Sequence, residues 1–192
     1  AMNQMLLQKL KNLFRPNARR GASLLEGIAY MGIAAIIVLI AASLLTNAFN
    51  SLKTNLASEE IISLRTTVKK LNLGQRASYS PTTSTADLTT NVIAARAFPI
   101  TLTPNATGTA LTNDWNGAVT VTGTNNGATF TLTYDAVPHG ACINLVSGAS
   151  GWTQIDQAGN DAITTFPATL ADAEAVCSIT TSEGNAISFT TK

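Results

Sequence analysis

Residues 22–45 read ASLLEGIAYMGIAAIIVLIAASLL, and this stretch decides how the rest of the chain is read. From Ile28 to Leu45 only Ser43 is plainly polar. A membrane-spanning helix needs about twenty such residues. Gly27 in front and Thr46 to Ala48 behind extend the eighteen-residue run to a span placed at about residues 27–48. Gly27 and Gly32 lie inside it, where glycine costs a helix up to about 1 kcal/mol relative to alanine. Two readings of them stand side by side: close helix–helix packing, which Ala29, Ala34 and Ala35 also suit, or a stretch able to unwind. Glu26 opens the run with no basic residue in the next six positions. An acid at a bilayer centre costs roughly 2.5–3.5 kcal/mol, and less at the interface. Glu26 therefore either reaches the interface or has a designated partner.

Charge divides on the two sides of this run. Residues 1–21 carry Lys9, Lys11, Arg15, Arg19 and Arg20 and no acid. Residues 22–192 carry seven bases and eleven acids, so the net charge of +1 for all 192 residues hides opposite signs. Bases ahead of the span place the N-terminus in the cytoplasm and the bulk of the chain outside. A secretory signal peptide shares these features, and Ala41-Ala42-Ser43 resembles its cleavage site. Its apolar core, however, is only about 7–15 residues. A plain membrane anchor is the other simple reading. Ala1 ahead of Met2 suggests a native start at Met2.

Beyond the span, Leu52, Leu56, Ile61, Leu64, Val68 and Leu71 recur at spacings of three to five, one face of an amphipathic helix. Lys69 and Lys70 in the last turn and Leu73-Gly74 mark its end. The expected helix covers residues 22–73, about 78 Å at 1.5 Å per residue. Its second half needs a domain to cover its apolar face.

Residues 74–192 hold 24 threonines, three bases and eight acids, a composition that favours strands. Phe130, Leu132 and Tyr134 alternate with threonines over Ala128–Tyr134, and Val119 and Val121 do so over Ala118–Thr122. Gly123 to Gly127 between them makes a hairpin. Ala186–Thr191 reads as a further strand with Ile187 and Phe189 inward. Residues 75–91 read as a Ser/Thr-rich surface loop, and Val92–Arg96 as a helical turn. Pro138 opens a helix through Val146 with Cys142, Leu145 and Val146 on its apolar face. Thr169 is the expected N-cap of Leu170–Val176, with Asp172 in the first turn. The expected class is α+β: an antiparallel sheet covering a long helix.

Arg19-Arg20-Gly21-Ala22-Ser23-Leu24-Leu25-Glu26, followed by a long apolar helix, resembles the prepilin signature of the type IV pilins. The resemblance implies that residues 1–21 are a leader, cut between Gly21 and Ala22 on the cytoplasmic side by a prepilin peptidase. It implies N-methylation of Ala22, although Phe or Met is usual there. It makes Glu26 the fifth mature residue, which pairs with the new α-amine of a neighbouring subunit and sets axial register. It reads Gly32 as a point of helix flexibility. Residues 74–192 become a globular head.

Cys142 and Cys177 are the only cysteines. An exported head meets an oxidising compartment, which allows a disulfide between them; two buried free thiols are the alternative. The pair resembles the C-terminal disulfide loop of type IV pilins, exposed on the filament surface. A first cysteine on a Pro138-initiated helix is similar to the type IVb branch. With Gly21 to Tyr30, the whole is most similar to the PilS pilins of thin conjugative pili. That likeness implies a subunit polymerising into a pilus for adhesion and mating-pair contact. Its partners would be other copies, the peptidase, an inner-membrane platform with its ATPase, an outer-membrane secretin and minor pilins. The precursor would sit in the bacterial inner membrane with its C-terminus periplasmic, and the assembled pilus on the cell surface. A pseudopilin of a secretion system and a membrane-anchored periplasmic binding domain are the rival readings.

Little else carries chemistry. His139 is the sole histidine, without a nucleophile motif, and reads as solvent-facing or capping. Asp156, Asp161 and Asp172 do not match a calcium-loop spacing. Asn105-Ala-Thr107 matches a glycosylation sequon that means little in a bacterium. With no phosphate-binding glycine loop and no basic aromatic patch, neither an enzyme, a cofactor, a metal nor nucleic-acid binding is expected.

Overall fold

The computed structural model describes residues 19–72, 79, 86–157 and 160–192. The chain divides between Ala48 and Phe49 into two compact units. Helix α1 runs Arg19–Asn72. Its residues up to Ala48 form the described part of the first unit, and every side chain from Leu24 to Ala48 is exposed. The expected stop at Leu73-Gly74 lies outside the described residues, as does most of the loop expected over 75–91.

The second unit is built from the remainder of α1 and an antiparallel sheet. Strands β1 (Ala86–Asp87), β2 (Thr103–Pro104), β3 (Leu111–Thr112), β4 (Ala118–Thr124), β5 (Thr129–Val137), β6 (Gln154–Gln157), β7 (Asn160–Ile163) and β8 (Asn185–Thr191) pair in the order β2-β3-β4-β5-β8-β6-β7, with β1 also on β4. Helices α2 (Thr89–Ala94), α3 (His139–Ser147) and α4 (Leu170–Val176) complete it. The α+β expectation holds.

Hairpin β4–β5 follows directly from alternation. Val119 pairs with Tyr134 and Val121 with Leu132, all buried, while the threonines between them face out. The connection is a 3-10 turn, Asn125–Gly127, with Asn126 at φ 54° in the left-handed region that asparagine tolerates. Strand β8 lies between β5 and β6, with Leu132 opposite Phe189 and Ile155 opposite the same residue on the other side. On the outer face the hydroxyls of Thr131 and Thr190 are 2.8 Å apart and those of Thr133 and Ser188 3.1 Å. Such cross-strand pairs each add roughly 0.2–1 kcal/mol.

The buried face of α1 differs from the stripe drawn above. Ile61, Leu64 and Val68 join the core, but Leu52 and Leu71 are exposed and Leu56 is only half-buried. Ala57 and Glu60 take their place, 2 % and 4 % exposed. Spacings 57, 60, 61, 64, 68 follow the 3.6 period more closely than 52, 56, 61 does. Several elements were also missed or displaced. Strands β1, β2, β3, β6 and β7 were not foreseen. Helix α2 starts at Thr89, not Val92, where Asp87 Oδ1 accepts from Thr89 N at 2.8 Å. Strand β5 runs on to Val137 through a register shift after Tyr134, with Ala136 at φ 57°. Gly184 fits against that bulge: at φ 74° it tolerates the left-handed region, and a Cβ would strike the Ala136 backbone.

Candidate functional site

Gly21 and Ala22 lie in the backbone of α1, within its first turn. Glu26, one turn further on, is exposed and accepts a hydrogen bond from the Tyr30 hydroxyl at 3.3 Å. That partner was missed, although Tyr30 stands at the i+4 position where helical side chains meet. The next basic residue after Glu26 is Lys53. Among the described side chains the carboxylate therefore has a neutral donor, and no cation follows it in sequence before Lys53. Gly27 and Gly32 are both helical, and a Cβ at either would meet nothing within 4 Å. Among the described residues no contact demands glycine at either place.

Cys142 on α3 and Cys177 at the C-cap of α4 are joined by a disulfide, with Cα atoms 5.8 Å apart and both sulfurs buried. The helices bearing them are positioned by local chemistry. Pro138 is the N-cap of α3. Thr169 and Asp172 form a reciprocal capping box on α4, which holds the Asp172 carboxyl below its ordinary value. His139 Nδ1 lies 2.6 Å from the Cys177 carbonyl oxygen, so the histidine caps the C-terminal end of α4. Asn185, fully buried, ties the segment after the disulfide to the sheet. Its Nδ2 donates to Val137 O and Ile179 O, while its Oδ1 accepts from Ile179 N and Gln157 Nε2.

A second buried polar group was also missed. Glu60 Oε2 accepts from the Tyr134 hydroxyl at 3.2 Å, and Thr101 adds a side-chain hydrogen bond. Burial pushes the Glu60 carboxyl up; the two hydrogen bonds oppose this, and the charge of Asp114 adds to it. Burial, then the Glu60 charge and hydrogen bond, hold Tyr134 well above the usual phenol value. The signal was available: Glu60 sits between Ala57, Ile61 and Leu64 on one helical face. Of the acids considered for calcium, Asp172 is committed to its cap, and Asp156 accepts from Gln154 Nε2 at 3.0 Å.

An apolar N-terminal helix long enough to cross a bilayer, continued under an antiparallel sheet, with one disulfide joining two short helices beside it, is the α+β architecture of the type IV pilins. A family model described as PilS N terminal matches residues 51–192, and the chain belongs to that family. No curated protein matches it.

Proposed function

We propose that this chain is a prepilin whose mature form polymerises into a type IVb pilus serving adhesion and mating-pair contact. Family membership supports a pilin subunit, and one observation carries the assembly chemistry. Glu26 is the sole charged side chain between Leu24 and Leu52, exposed at the start of an apolar helix and, among the described residues, bonded to the Tyr30 hydroxyl. Cleavage between Gly21 and Ala22 creates an α-amine that is charged near neutral pH. In a filament that amine pairs with Glu26 of a neighbour. Losing one member of a buried pair costs about 3–5 kcal/mol, so the pair sets register and processing gates assembly. Ala22 is the methylated residue, and Gly27 and Gly32 provide close packing or local unwinding in the filament core.

The subunit waits in the inner membrane with its head in the periplasm. The prepilin peptidase, a platform with its ATPase, a secretin and minor pilins take it to the surface. The disulfide-closed region between Cys142 and Cys177 and nearby loops supply the outward surface, apart from the Leu145 and Trp152 side. The decisive measurement is the mass of the mature chain. A species beginning at Ala22 is expected, together with long surface filaments under the electron microscope. A species beginning after Ser43, or one retaining residues 1–21, overturns the reading.

A further inference from the structure

Among the described residues of the head, one apolar side chain stands almost wholly in water. Ile100 is 97 % exposed. It occupies a corner of a turn closed by Leu102 N donating to Pro99 O at 3.0 Å. The turn is anchored by the buried Leu102. Ile100 therefore has no route back to the core of its own subunit.

A shallow groove lined by Ile61, Ile62, Leu145, Trp152 and Phe189 also opens on the head. Ile62 at its lip is 58 % exposed. Its wall is preformed. The Arg65 guanidinium lies over the Trp152 ring, 5.0 Å from the centroid, and Arg65 Nη1 donates to Ser150 O at 3.3 Å. Gly151, at φ 74°, leaves room for that clamp: a Cβ there would meet the guanidinium at 2.6 Å.

Knob and groove belong to opposite ends of the sheet. Ile100 leads into β2, the strand at one end, and Trp152 leads into β6, next to β7 at the other. Their charges are opposite as well. Arg96 shares the α2–β2 connection with Ile100, and Glu59 lies on α1 three residues before Ile62. Both are exposed, and neither is engaged in an ion pair among the described residues.

We propose that Ile100 of one copy seats in the Ile62–Trp152 groove of the next, with Arg96 facing Glu59. The inference rests on the reading of this chain as a filament subunit. Two different patches at opposite ends make a heterologous contact, which propagates along a polymer instead of closing on a pair. An aliphatic anchor entering a pocket walled by Trp and Arg has the composition of interface hot spots. One such contact is weak, and repetition along the filament multiplies it.

The test uses the full chain expressed with its assembly machinery. Ile100→Asp is expected to lower filament yield at least tenfold, while processed subunit with an intact disulfide accumulates in the membrane at the wild-type level. Arg96→Glu is expected to reduce yield, and adding Glu59→Arg to restore it. In filaments of the double variant Ile62→Cys, Ile100→Cys, a short bismaleimide is expected to give a ladder of covalent multimers, because both native cysteines are already joined. Each single cysteine variant should give none. Wild-type yield from Ile100→Asp overturns the contact. So do dimers from Ile100→Cys alone, which mean a pairwise contact, and cross-links only to a different protein. If wild-type chain forms no filaments at all, the filament reading falls first and the contact falls with it.

Discussion

Tyr134 on β5 donates its phenolic hydrogen bond to Glu60 on α1, 3.2 Å away across 74 residues of sequence. This bond places a carboxylate within the helix face that the sheet covers. Burial raises the Glu60 carboxyl above its ordinary 4.5, so the fold favours its protonated form. The contribution of Glu60 to stability is therefore present below about pH 4.5 and is lost as pH rises through the raised folded value. Thermal unfolding of detergent-solubilised chain should show the head gaining stability on mild acidification. Glu60→Gln should flatten that dependence. Tyr134→Phe should cost about 1–3 kcal/mol at neutral pH, because the buried carboxylate loses a donor.

The disulfide closes a stretch of 35 residues in sequence. On chain-entropy grounds such a loop stabilises by about 4 kcal/mol. Cys142→Ser with Cys177→Ser should lower the unfolding midpoint by a matching amount in denaturant titration. Adding reductant to the variant should then change nothing further.

Asn185 and Gly184 carry an effect out of proportion to their size. Asn185→Ala removes partners from Val137 O and from both backbone groups of Ile179 in a site that water does not reach. A loss of about 1–3 kcal/mol is expected, with faster amide hydrogen exchange at Ile179. Gly184→Ala meets both a left-handed φ of 74° and the Ala136 backbone. It should cost at least about 1–2 kcal/mol, read as a lowered midpoint with the disulfide intact.

Glu26→Ala should leave processing and membrane insertion unchanged and abolish filaments. Glu26→Gln separates charge from size: it keeps an acceptor for the Tyr30 hydroxyl and loses the ion pair. It too should fail to assemble. Wild-type filament yield from either variant, counted by electron microscopy, refutes the pairing.

Some of this was legible from residues alone and some was not. The β4–β5 hairpin was legible because each strand is long enough to show alternation, and its inward residues are all apolar. The start of α3 was legible to within one residue, and the cap of α4 outright, because Pro138 and Thr169 act within one turn of where they stand. Strand β6, Gln154–Gln157, was not, because its single apolar residue, Ile155, becomes a strand only between β7 and β8. The phase of α1 was misread because Leu52 and Leu71 drew the stripe outward, while the sheet covers Ala57 and Glu60 instead. At the candidate site the spacing of Gly21, Ala22 and Glu26 was visible, but the Tyr30 bond was overlooked. The role of Asn185 was out of reach, since its partners, from Val137 to Ile179, come together only when the sheet closes.

Strand β8 sits between β5 and β6 although, of the eight strands, it is the last in sequence. The ribosome delivers the chain from its N-terminus, so β5 and β6 lack the strand that joins them until residues 185–191 arrive. The head closes late, long after the apolar helix has emerged. A chain stalled short of Asn185 presents open strand edges on β5 and β6, the kind of unpaired edge that templates aggregation, so the last strand delivered is also the one that protects the sheet.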